Sequence, residues 1–77
     1  MYEKDKLDLH GVKHVDVKPM VIRFIEDLLR TKTVVEIITG HSPKMKAIVI
    51  EVLEEYKLEY SDGGFLGVNP AVITTVI

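Results

Sequence analysis

The chain has 77 residues, 47% of them hydrophobic and 29% charged, with a formal net charge of −2. That makes one domain at most, too apolar for a disordered chain and without the basic balance that most nucleic-acid-binding domains carry. The absence of cysteine excludes disulfide staples, thiolate metal sites, iron–sulfur clusters and cysteine nucleophiles, and suits the reducing cytoplasm expected here.

Met1 to Asp5 reads as a polar lead-in, and residues 6–77 as a single domain. Lys6 to His10 alternates, with Leu7 and Leu9 on one side and Asp8 and His10 on the other, the pattern of a half-buried strand. Gly11 ends it. Asp16 offers a helix cap and Pro19 suits a first helical turn. Val21, Phe24, Ile25 and Leu28 then recur at helical spacing, which predicts an amphipathic helix from about Val17 to Arg30. Val34 to Ile38 is compact and β-branched, as in a strand buried on both faces or nearly so.

Thr39-Gly40-His41-Ser42-Pro43 leads into a second helix, with Ser42 as cap and Pro43 at its first position. Met45, Val49, Val52, Leu53 and Tyr56 form its apolar stripe. Leu58 to Ser61 reads as a short strand, and Asp62-Gly63-Gly64 as a turn. Phe65 and Leu66, in the glycine-flanked loop that follows, are expected to fold back over the core. Ala71 to Ile77 reads as a last strand. The implied architecture is an α+β two-layer sandwich within the α/β class. Its order is βαβαββ, a four-stranded mixed sheet with two helices on one face and the other face largely open. No apolar run approaches the ~20 residues that cross a bilayer, so no membrane partner is expected.

Two segments can carry chemistry. Asp8-Leu9-His10-Gly11 and Thr39-Gly40-His41-Ser42 each follow a strand, and ligands of open parallel sheets bind outside the carboxyl ends of strands. A carboxylate beside a histidine can orient the imidazole and raise its pKa towards neutrality. A solvated Asp and His on the polar face of a strand is the plainer alternative. The second turn meets a helix start, where free N–H groups and the helix dipole favour a phosphate. Gly40 permits close approach, and Lys44 and Lys46 add positive charge. A routine helix cap with two solvated lysines is the alternative there. His14, near Lys13, reads as a solvated loop histidine, with a phosphate contact as the other reading. Asp8, His10 and His41 are candidate metal ligands, too few for a structural zinc. A weakly held Mg²⁺ or Mn²⁺ brought by a nucleic acid stays open.

Together the two segments resemble the signatures of the Smr (small MutS-related) domain. Leu7-Asp8-Leu9-His10-Gly11 looks like its Leu-Asp-x-His-Gly motif. Thr39-Gly40-His41-Ser42 looks like its Thr/His-Gly-x-Gly motif, with Ser42 in place of the second glycine. The resemblance covers about Lys6 to Ile77 in element order. It implies a fold similar to the C-terminal domain of translation initiation factor 3. It also implies a nucleic-acid partner, DNA or RNA, and endonuclease activity. By position it implies cleavage roles for Asp8 and His10, and His41, a second histidine near the same edge, is the candidate for a second proton-transfer group. Gly11, Lys13, Thr39, Gly40, Ser42, Lys44 and Lys46 would contact the nucleic acid. A non-catalytic module binding nucleic acid or protein is the alternative. The oligomeric state is left open, with a monomer favoured.

Overall fold

A computed structural model describes residues 2–3, 6–29, 31, 33–63 and 70–77. The elements run β1 (Tyr2–Glu3), β2 (Lys6–Asp8), α1 (His14–Leu28), β3 (Val34–Ile38), α2 (Pro43–Glu55), β4 (Tyr60–Asp62) and β5 (Val72–Val76). The expected βαβαββ order is present, in the α+β class. The Tyr2–Glu3 strand adds to one edge, within what reads from sequence as a lead-in. The Phe65–Leu66 loop lies outside the described residues.

The sheet order is β1-β2-β3-β5-β4. β2 pairs parallel with β3, whereas β5 runs antiparallel to both β3 and β4. β4 therefore points the same way as β2 and β3, although β5 lies between. Each helix returns the chain to start another strand of the same direction. The carboxyl ends of β2, β3 and β4 thus meet one edge of the molecule, which is also where both helices begin.

Register explains the core. Leu7 pairs with Ile37, and Ile37 with Ile73, so these three side chains share one face. That face packs against Val17, Val21, Phe24 and Ile25 of α1 and Val49, Val52 and Leu53 of α2, all fully buried. Both helices therefore lie on the same side of the sheet. Removing a fully buried ring such as Phe24 by mutation to Ala typically costs about 3–5 kcal/mol.

Several expectations need adjustment. β3 is not buried on both faces, because Val35 and Ile37 are buried while Val34 is exposed and Glu36 and Ile38 are half-buried. The second sheet face is only partly open, since Val72 and Thr74 on it are buried. α1 starts three residues earlier than its apolar stripe suggests. Lys13 takes the cap position without a side-chain hydrogen bond, and Asp16 falls in the first turn, where the helix dipole favours an anion. Pro19 therefore lies inside the helix. Its missing N–H leaves the Val15 carbonyl without its helical partner, and Val15 is exposed to water that can replace it.

α2 is capped at both ends. Ser42 Oγ accepts from the Met45 N–H at 3.2 Å, as its sequence position suggests. At the far end the Leu58 N–H donates to the Leu53 carbonyl and the Lys57 N–H to the Glu54 carbonyl, each at 3.0 Å. This is a Schellman ending, with Lys57 at φ +57° in the position where glycine is commonest. No helix among the described residues is long and apolar enough to cross a membrane.

Candidate functional site

The two motif turns are neighbours. Asp8 is in register with Ile38, and the Leu9 N–H continues the ladder to the Ile38 carbonyl at 2.8 Å. The chain then turns. The Val12 N–H donates to the Leu9 carbonyl at 3.0 Å, and Gly11, third of the four turn residues, has φ +80°. His10 does not have positive φ, so the geometry is that of a type II turn, which requires a residue tolerant of left-handed backbone at that place. Gly11 meets this need.

Asp8 shapes the same turn. Its Oδ1 accepts the backbone N–H of His10 at 2.9 Å. The carboxylate thus fixes the backbone that carries the histidine. No hydrogen bond joins it to the imidazole among the described residues, in contrast to the expected pairing. The strand ends at Asp8, so Asp8 and His10 are not successive positions of one strand face. Both are exposed.

The imidazole of His10 lies over the second turn. A methyl group built on Gly40 would meet His10 Cδ2 at 3.6 Å, an ordinary contact. The ring edge and the Gly40 backbone are therefore close, which unites the two motifs in one place. Gly40 itself has φ +68°, so a side chain there would be strained by backbone conformation rather than by crowding.

Thr39 has a different place from the one expected. It is only 2% exposed. Its N–H donates to the Ala71 carbonyl at 2.8 Å, and the Gly40 N–H reaches the same oxygen at 3.1 Å. Its hydroxyl is 2.9 Å from the Gly40 carbonyl and 3.2 Å from that of Ala71. Thr39 therefore pins the turn to the start of β5 and does not face a ligand. The N–H groups of Thr39 and Gly40 are already used. Those of His41, Ser42 and Lys44 have no partner among the described residues and are the donors available at this helix start. His41 and Lys44 are exposed, and Ser42 half-buried.

The cations divide into two groups. Lys13 and Lys44 are exposed and form no ion pair among the described residues. Lys46, expected to hold a phosphate, instead pairs with Asp62 Oδ1 at 3.1 Å. Lys18 approaches Glu55 at 3.8 Å. His14 is the first residue of α1, exposed at the same edge rather than in a loop. Among the described residues, no group of three or more His, Asp or Glu side chains is placed to share a metal ion, so Asp8, His10 and His41 do not form a ready cage.

Asp62 was not a candidate by sequence, where it reads as the start of a turn. The signal existed. β4 is the third strand to end on this edge, and the reasoning that singles out the other two strand ends applies to it. The expected strand stopped one residue short, at Ser61.

Scans against models of known families and searches of curated proteins and of solved structures returned no match to this chain.

Proposed function

We propose that this edge binds the phosphodiester backbone of a nucleic acid and that His10 takes part in cutting it. The observation that carries the reading is the His10 ring lying over Gly40 where α1 and α2 both begin. Helix starts present N–H groups and partial positive charge to a phosphate. Lys13 and Lys44 add full charges nearby, which a net charge of −2 averages away. The resemblance of the two motifs to those of Smr domains supports the same reading.

In the proposed chemistry a hydroxyl, from water or from RNA itself, attacks phosphorus. The bond from phosphorus to the leaving oxygen breaks. One imidazole accepts the proton of the attacking hydroxyl, and a second group returns a proton to the leaving oxygen. His10 is assigned the first role and His41 the second. Asp8 holds the His10 turn through the backbone. A divalent cation carried by the nucleic acid would stabilise the charge on phosphate.

Labelled branched DNA, duplex DNA and structured RNA, incubated with wild type and with His10→Ala, test this. Cleavage by the wild type alone supports the reading. Equal cleavage by both proteins removes His10 from catalysis. A chelator arm separates metal-assisted cutting from a histidine-only mechanism.

A second reading is a binding module that leaves cleavage to another chain. The engagement of Asp8 with backbone rather than imidazole favours it. Salt-sensitive binding without cleavage by either protein would select it.

A further inference from the structure

The Lys46–Asp62 pair is unusual for its position. Lys46 is the fourth residue of α2, close to the positive end of the helix dipole, where a cation is disfavoured. Its side chain is 18% exposed, and its ammonium donates to Oδ1 of the half-exposed Asp62 at 3.1 Å. Asp62 ends β4, on the same edge as the turns bearing His10 and Gly40. Its carboxylate thus occupies a cation beside the helix start that would receive a phosphate.

We propose that Asp62 is an internal competitor of the phosphodiester for Lys46, and so sets the affinity and salt sensitivity of the site. The inference rests on the nucleic-acid-binding reading above. In the free protein Asp62 supplies the anion that Lys46 lacks. A bound phosphate must share or displace it, so Lys46 adds less to the ligand's hold than an unpaired lysine would. Lys13 and Lys44, unpaired among the described residues, provide the charge that is always available. Neutralising Asp62 releases Lys46 to the ligand.

The test is fluorescence anisotropy of a labelled DNA duplex across a salt series. Four proteins are compared: wild type, Asp62→Asn, Lys46→Met and the double variant, each checked for folding by circular dichroism. One added phosphate contact steepens the slope of log K against log salt by about 0.9. Between about 200 and about 50 mM salt, Asp62→Asn should therefore gain about 3.5-fold more affinity than wild type gains. In the Lys46→Met background the same change should leave the slope unaltered. If wild type binds and Asp62→Asn has the wild-type slope, the competitor role is overturned and the binding reading stands. An equal gain with and without Lys46 also overturns it, because Asp62 would then repel the ligand directly. If none of the four proteins binds with salt dependence, the binding reading falls and this inference with it.

Discussion

Replacing Thr39 by Val separates two roles for a residue that sits in the second motif. In the structure its hydroxyl faces the carbonyls of Gly40 and Ala71, at 2.9 and 3.2 Å, in a site only 2% exposed. Valine keeps the shape and removes that hydrogen bond. The Ala71 carbonyl still accepts the N–H groups of residues 39 and 40, whereas the Gly40 carbonyl loses the hydroxyl, its hydrogen-bond donor among the described residues. Gly40 is half-buried, so water can take the place of the hydroxyl there, and the cost is that of one net hydrogen bond, about 1 kcal/mol. For a domain of this size that lowers the melting temperature by about 4–8 °C. Affinity for a DNA duplex, measured well below the transition, should change by less than about a factor of two, because one tenfold step corresponds to about 1.4 kcal/mol of binding energy and the hydroxyl makes no ligand contact. An unchanged melting temperature with affinity reduced tenfold or more would refute this reasoning and place the hydroxyl on the ligand.

Two further predictions concern stability and titration. Thr74 is 8% exposed, and its Oγ1 is buried without a hydrogen-bond partner among the described residues. Thr74→Val should therefore stabilise the fold by about 1 kcal/mol, read as a higher urea midpoint at unchanged m-value, and a lower midpoint would contradict it. The Tyr56 hydroxyl donates to Glu26 Oε2 at 2.6 Å, and this hydrogen bond, followed by desolvation and the charges of Glu26 and Glu55, raises its pKa above the ordinary 10.0. Because the folded value is the higher one, the contact contributes stability below the unfolded-state pKa, and that contribution is lost as pH rises through the folded value. Glu26→Ala, which removes the acceptor as well as the charge, should move the Tyr56 titration midpoint, followed by ¹³C NMR, down towards its ordinary value, and an unmoved midpoint would show that Glu26 is not the cause.

The parts of the fold that were legible from sequence are those with strong local signals. The stripe of Met45, Val49, Val52 and Leu53, with Ser42-Pro43 before it, predicts α2 at its observed start. Val34 to Ile38 is bounded correctly because four β-branched residues, interrupted only by Glu36, stand between polar ones. The α1 start was misplaced because Pro19 reads as a first-turn residue, while the exposed helix surface at Val15 tolerates it further in. Tyr2–Glu3 gave no strand signal, since two residues show no period and the pairing with Lys6 and Leu7 depends on the neighbouring strand.

The site divides along the same line. Both turns were visible, because Gly11 and Gly40 follow strands and their left-handed backbone needs glycine. Which groups face outward was not visible. Thr39 turns inward only because β5 inserts beside β3 and brings the Ala71 carbonyl to it, across a sequence separation of 32 residues. Lys46 is engaged for a similar reason, since Asp62 arrives from β4, 16 residues away. Local sequence carries neither partner. The Asp8 contact is local, yet strand alternation pointed its carboxylate towards the imidazole, whereas the chain turns after Asp8 and offers a backbone N–H instead.

The central claim is that nucleic acid binds where both helices begin. The most direct measurement is a ¹H–¹⁵N NMR titration of the intact chain with a short DNA or RNA oligonucleotide. The account predicts that the largest amide shifts fall at His10, Gly11, His14, Gly40, His41, Ser42 and Lys44, and that raised salt reverses them. Shifts confined to the opposite end of the sheet, around Val34 and Val76, or no shifts with either nucleic acid, would contradict it.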